Sequence, residues 1–411
     1  MSGCSITKTS LPQWLVIFGI FLPRHAELFF LLIAVIRIYS DSKKIYKSDL
    51  IFPMMIVWCC SIIIIGRIGY GYSKPIQQII VLSTFFLLYE QFFKANKNSL
   101  FSLFRRYLFA VYIVSIIGFF QLIIYFLFKI NIREFFSDYM TQTISDRLIR
   151  VSSVLAEGGE LGTSLIPALI YLFYYNDKFN LLGNRKWWIA GISFFTMSPF
   201  VYIFWITYLI NRLAFFLKPI KSVLTILLIG GVAIGLYNVI QEKDYDSTGL
   251  SGILMRISGT YNTLSVLAEE SDIREILSSS NNSSTTALMA NTYVGIYSPS
   301  RLLGTGIGTH EQNHKQLISP YFSDSSSALL NAEDGYSLFN RLLSEFGIIG
   351  ILLYILFLYK YYNKTNILNI CFFWMIICLF IRGGSYILYG TIFVHFFYYH
   401  TSTSTIVTSN Q

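Results

Sequence analysis

The sequence predicts an all-α, polytopic integral membrane protein with about twelve transmembrane helices and a large external loop. Three observations carry that expectation. The 411 residues are 54% hydrophobic and only 13% charged, too apolar for an ordinary soluble chain of this length. Apolar runs long enough to cross a hydrocarbon core recur along almost the whole chain rather than once at its start. The basic residues, which leave a net charge of +9, sit in short clusters between those runs, as in cytoplasmic loops. That distribution argues against nucleic acid as a partner and for membrane lipid.

Spans are expected near residues 11–23, 27–39, 50–66, 75–93, 106–128 and 161–175. The run from Leu11 to Leu22 reads as a retained first span, so no cleaved leader is needed to explain it. Between Trp187 and Ile240 the pattern fits either two long helices or three with a tight turn at Thr196-Met197-Ser198-Pro199. Loop charge selects three, near 187–198, 200–216 and 221–239. With a cytoplasmic amino terminus, that reading keeps Lys43, Lys44, Lys94, Lys97, Arg185, Lys186, Arg212 and Lys218 on one side. Pro199 favours a break there.

The segment 241–340 then lies outside, and spans near 341–361, 366–382 and 384–399 return the carboxyl terminus to the inside. The chain is one membrane domain, 1–411, whose outer face carries two polar segments, 129–160 and 241–340. In the first, Ile132, Phe136, Met140, Ile144 and Leu148 recur at helical spacing, which predicts a helix lying on the membrane surface. In the second, LMRISGTYNTLSVLAEESDIREIL reads as helical and SSSNNSSTT at 278–286 as a flexible connection. The five cysteines are Cys4, Cys59, Cys60, Cys371 and Cys378, and four of them fall in spans. Neither a disulfide framework nor a cysteine zinc site is indicated.

Chemistry is expected where the long loop enters a membrane helix, from Arg301 to Gly350, because titratable loop groups are held rigidly there by the first turns of a span. HEQNH at 310–314 matches the helix-borne zinc pattern H-E-x-x-H, with Glu333 as a third-ligand candidate. It follows a glycine-rich turn and lacks a flanking apolar helix, so His310 or His314 as a lone substrate contact fits better, and no metal or other cofactor is expected. Gly304, Gly306 and Gly308 resemble half a dinucleotide fingerprint, yet no strand precedes them and a tight turn explains them.

Five arginines are assigned to the outer face: Arg147, Arg150, Arg256, Arg301 and Arg341. Together they suit an anionic ligand such as a diphosphate, because guanidinium stays charged and offers a planar fork of donors. Taken singly, each is equally explained by snorkelling to headgroups or by pairing with a carboxylate. Glu157, Glu160, Asp334 and Glu345 are the carboxylates beside spans on that face. Asp334 and Glu157 are the candidates for a general base, each just before a span and beside glycine; a carboxylate at a helix N-terminus is the plainer account.

Three segments taken together resemble the bacterial O-antigen and capsular polysaccharide polymerases of the Wzy type, and the related O-antigen ligases. RVSSVLAEGGELG at 150–162 is similar to the arginine-led segment that enters a span in those enzymes, RLLGTGIG at 301–308 to their glycine turn, and EDGYSLFNRLLSEFGIIG at 333–350 to the segment after the large periplasmic loop. The resemblance implies an inverting, metal-independent glycosyltransferase in the bacterial inner membrane that joins undecaprenyl-diphosphate-linked repeat units on the periplasmic face. By it, Arg150 and Arg256 hold the diphosphate, Asp334 activates the acceptor hydroxyl, and Tyr336 belongs to the Asp-x-Tyr pattern. A chain-length regulator and a flippase are the implied protein partners. The chain departs from the pattern at Gly158, where proline is common, and shows the arginine-x10-glycine spacing once, from Arg147 to Gly158. The alternatives are the ligase, from which Asp334-Gly335-Tyr336 in place of His-Asn points away, and a lipid-linked oligosaccharide flippase, for which a loop of about a hundred residues is hard to motivate.

Overall fold

The computed structural model describes residues 10–22, 24–131, 143–145, 148–155, 157–175, 180–216, 283–322, 326–383, 385–387 and 390–403. The described chain is helical apart from one short strand pair. Helices α1 (Ser10–Gly19), α2 (Arg24–Ser42), α3 (Ile51–Ile68), α4 (Ser73–Ala95) and α5 (Leu100–Phe128) are followed by strands β1 (Thr143–Ser145) and β2 (Leu148–Ile149). Then come α6 (Gly158–Leu169), continued by a π-helical turn over Ile170–Tyr174, α7 (Lys186–Phe195) and α8 (Pro199–Phe216). After the undescribed stretch follow α9 (Ser283–Tyr297), α10 (His310–Leu317), the single turns α11 (Ser319–Phe322) and α12 (Ser326–Leu329), α13 (Leu338–Tyr361), α14 (Ile367–Ile381) and α15 (Thr391–Thr403).

Among the described residues, four helical segments are long and apolar enough to cross a membrane: Ile51–Ile68, Ser73–Ala95, Lys97–Phe128 and Leu338–Tyr361. The other described spans expected from sequence coincide with helices: α2, α8 and α6 with its π-helical turn are at least as long as expected, whereas α1, α7, α14 and α15 are shorter, and the expected span 221–239 lies outside the described residues. The shortening has local causes. Met197 takes a left-handed φ of 50°, which separates α7 from α8, and Pro199 opens α8 at the first helical position, where its missing N–H costs nothing. The last helix starts at Thr391 rather than near residue 384, because Gly390 at φ 71° ends a non-helical connection.

Two expectations for the polar segments are corrected. Ile144 and Leu148 lie on β1 and β2, an antiparallel pair with Thr143 opposite Ile149, so the helical spacing does not extend through them; Ile132, Phe136 and Met140 lie outside the described residues. Ser283 to Thr286, expected to be part of a flexible connection, form the first turn of α9.

The core is unusually aromatic. Phe85, Tyr89, Phe92 and Phe93 of α4, Phe104 and Tyr107 of α5, Phe372 of α14 and Phe393 and Phe397 of α15 are fully buried. They meet as ring pairs, such as Phe372 against Phe397 with centroids 4.2 Å apart. The opposite surfaces of the long helices stay apolar and uncovered, as at Ile348, Leu352, Leu353, Leu356 and Tyr359 of α13, which is how a lipid-facing stripe reads.

Helix α13 is broken. Gly347 has φ 65° and ψ −164° inside it, a conformation open almost only to glycine. In an intact helix Ile348 and Ile349 would donate to the carbonyls of Ser344 and Glu345. Here their N–H groups donate to Arg301 (3.0 Å) and Leu302 (3.2 Å), and those two carbonyls accept from Thr305 (3.1 Å) and Gly306 (2.8 Å). The glycine turn therefore plugs the gap and satisfies all four freed groups. Close approach explains its glycines: a Cβ on Gly304, at φ 72°, would lie 2.3 Å from the Glu345 carbonyl, and one on Gly347 2.4 Å from the Leu302 oxygen.

Candidate functional site

One end of the bundle gathers segments far apart in sequence. The entry to α6, the turn between α7 and α8, the entry to α13 and the exit of α14 all meet there.

The Arg150 segment is anchored from two sides. The Val151 N–H donates to the Phe195 carbonyl at 2.9 Å, and Gln121 of α5 accepts from the N–H groups of Ser152 (3.3 Å) and Ser153 (2.9 Å). Arg150 Nε donates to the Thr196 carbonyl at 2.9 Å, which turns the guanidinium across the start of α6. Gly158 and Gly159 make that crossing possible. A Cβ at Gly158 would lie 2.6 Å from the Thr196 oxygen and 2.8 Å from the Val151 oxygen. The absence of proline at this position thus has a steric reason, since the chain packs too closely for any side chain.

At Gly159 a Cβ would meet Arg150 Nη2 at 3.1 Å and Arg382 Cζ at 3.3 Å. Arg382 is a residue the sequence reading passed over. It caps the C-terminal end of α14, its Nη2 lies 3.4 Å from Glu157 Oε2, and its guanidinium lies 5.7 Å from the centre of the Tyr336 ring. The next residue joins the same two regions through backbone, as the Gly383 N–H donates to the Tyr336 carbonyl at 3.1 Å. A signal was present. Counting spans sends α13 inward and α14 back outward, which puts Arg382 on the face that carries Asp334.

Asp334 precedes α13 in a strained turn: Gly335 and Tyr336 take φ of 79° and 62°, and the Tyr336 N–H donates to Asp334 Oδ1 at 3.2 Å. Burial pushes the Asp334 carboxyl above its ordinary range, against the pull of the Arg341 guanidinium, and Glu157 adds to the rise. Ser337 then caps α13, its hydroxyl accepting from the Asn340 N–H at 3.1 Å. One turn in, Arg341 is buried and paired with Glu345 at 3.2 Å. It lies 4.1 Å from the centre of the Tyr386 ring, whose hydroxyl donates to the second Glu345 oxygen at 2.9 Å.

The arrangement is a mixed-charge mouth at a helix N-terminus. Arg150 and Arg382 lie side by side across α6, Glu157 pairs with Arg382, and Asp334 lies within electrostatic reach of Glu157 and of Arg341, which is paired with Glu345. Such a cluster can hold an anion on guanidinium groups and accept a proton close by.

The remaining candidates fall elsewhere. Arg147 and Arg256 lie outside the described residues. Arg301 lies over the Tyr297 ring at 5.2 Å beside the break in α13, and no contact among the described residues joins it to Arg150. Glu160 accepts from the Glu157 N–H at 3.0 Å, as an N-terminal helix cap.

HEQNH forms a short polar helix, α10, and every one of its letters is engaged. His310 Nε2 pairs with Asn291 (2.8 Å), and Glu311 binds Lys74 and Lys315. Gln312 exchanges two hydrogen bonds with the backbone of Gly71 (2.9 and 3.0 Å). Asn313 donates to Thr305 (2.8 Å) and Ser344 (2.7 Å), and His314 pairs with the Ala328 carbonyl (3.1 Å). Glu333 lies 3.2 Å from Lys74, and no group of three metal-ligating side chains occurs among the described residues. The motif clamps the glycine turn to the α3–α4 corner. Burial, with Arg341 and His314 nearby, holds the His310 imidazole well below its ordinary value and therefore neutral.

Compared with models of protein families, with curated proteins and with solved structures, the chain matches none.

Proposed function

We propose that this protein polymerises undecaprenyl-diphosphate-linked oligosaccharide repeat units on the outer face of a bacterial inner membrane. One observation carries the reading: Arg150, Glu157 and Asp334, from segments nearly two hundred residues apart in sequence, are linked through Arg382 and Tyr336 at one end of an apolar helical bundle. Transfer forms a bond between the acceptor hydroxyl oxygen and the anomeric carbon, and breaks the bond from that carbon to the diphosphate oxygen. Asp334 takes the hydroxyl proton, its raised proton affinity suiting it to the task, and Arg150 steadies the charge left on the departing diphosphate. The apolar flanks of α13 and α3 offer the polyprenyl tail a lipid-side approach.

Complementation of a deletion strain tests the reading. Loss of the protein should leave lipid capped with a single repeat, and Arg150→Ala or Asp334→Ala should abolish the long-chain ladder on a gel while the protein level holds. A normal ladder from both variants overturns the assignment. Long polymer stranded on undecaprenyl diphosphate would identify a ligase instead, and repeats trapped on the cytoplasmic side a flippase.

A further inference from the structure

Arg382 is the residue that the proposed reaction has not yet used. A cation at the C-terminal end of α14 has a plain explanation, since it complements the helix dipole. That account would be met by any direction toward the last carbonyls. Arg382 instead lies across Gly159, where its Nη1 at 3.5 Å and Arg150 Nη2 at 3.1 Å crowd the same point. Two guanidinium groups brought together over a helix N-terminus repel one another and the partial positive charge of the N–H groups beneath them. The carboxylate in contact with Arg382 is Glu157, through a single oxygen at 3.4 Å, with 41% of the Glu157 side chain open to solvent. An ion pair so exposed is weak, because solvent screens it, so a better anion displaces it readily.

Resting on the polymerase reading, we propose that Arg382 is the second diphosphate-binding guanidinium beside Arg150, and that Glu157 is its placeholder anion until the diphosphate arrives rather than a proton acceptor. The arriving diphosphate takes the place of the Glu157 carboxylate on Arg382, and the freed carboxylate stays at the N-terminus of α6, where Glu157 forms a capping box with Glu160. This gives the site two guanidinium groups on one anion although a second arginine-x10-glycine copy is absent from the sequence. Tyr336, beneath Arg382 at 5.7 Å, keeps the guanidinium in place during the exchange.

The two members of the pair then act in opposite directions on affinity, which a merely structural ion pair does not produce. The test is binding of undecaprenyl diphosphate to the full-length protein in nanodiscs, read by native mass spectrometry. Arg382→Ala should weaken binding roughly tenfold or more, the size of a lost charge-assisted hydrogen bond, and Arg382→Lys should fall between it and wild type. Glu157→Gln should bind more tightly than wild type. Equal weakening by Glu157→Gln and Arg382→Ala overturns the proposal in favour of a structural pair. Loss of binding in Arg150→Ala with none in Arg382→Ala overturns it while leaving the polymerase reading intact. Unchanged binding in both arginine variants removes the diphosphate site itself.

Discussion

At the residue scale, His310 shows how burial sets chemistry. Its imidazole is fully enclosed, and Arg341 and His314 add to the cost of charging it. The unfolded chain binds a proton near the ordinary histidine value of about 6.5, whereas the folded chain resists it to a lower pH. Stability is therefore complete above that value and falls as pH drops toward the folded pKa, by about 1.4 kcal/mol per pH unit for one such group. His314, shifted in the same direction, adds a slope of the same sign. Thermal midpoints of detergent-solubilised protein should decline from pH 7 to pH 5.5, and His310→Gln should flatten that decline whatever its effect at pH 7. An unchanged slope in the variant would show that His310 does not titrate on unfolding. Asp334 illustrates the converse: burial favours its protonated form, so activity that needs its carboxylate should be lost on acidification at a higher pH than an ordinary aspartate would give.

At the scale of one element, α13 is two half-helices joined at Gly347, and the glycine turn completes them. The half before the break carries Arg341 and Glu345; the half after it carries the lipid-facing stripe. Gly347→Ala places a methyl group 2.4 Å from the Leu302 oxygen in a backbone conformation alanine avoids, so it should destabilise the protein by at least about 2 kcal/mol. Gly304→Ala collides with the other side of the same contact. The double variant should then lose much less than the two single losses combined, because one broken junction is already lost in either. Thermal unfolding of the three variants measures this, and additive losses would mean that turn and break are not one unit.

At the scale of the whole molecule, the issue is which end of the bundle faces outward. The segment Leu338–Tyr361 is long and apolar enough to cross a membrane, so the turn before it and the turn after it should lie on opposite sides of the membrane. Leu330, half-exposed ahead of α13, and Lys364, exposed between α13 and α14, report the two sides. With Cys4, Cys59 and Cys60 replaced by serine, a membrane-impermeant maleimide added to spheroplasts should label Leu330→Cys at once and Lys364→Cys only after permeabilisation. The reverse pattern would put the Arg150 and Asp334 cluster in the cytoplasm and end the polymerase proposal.

Composition and hydrophobic run length were enough to specify a helical membrane protein, because the cost of leaving backbone polar groups unpaired in lipid is met by every apolar run alike. The break at Met197-Ser198-Pro199 was legible for a similar reason, since proline acts locally. Asp334 and Glu157 could be marked as candidates because each stands beside glycine just before a predicted span, and Arg150 because it groups with other arginines on the expected outer face. Pairing was another matter. That Arg382 comes to rest beside Arg150, that HEQNH is consumed clamping a turn to a corner, and that the glycines of 304–308 serve a gap at Gly347 all depend on contacts between residues tens to hundreds of positions apart. Periodicity carries no record of such distances, so the fold alone decided which charges became neighbours and which were already taken.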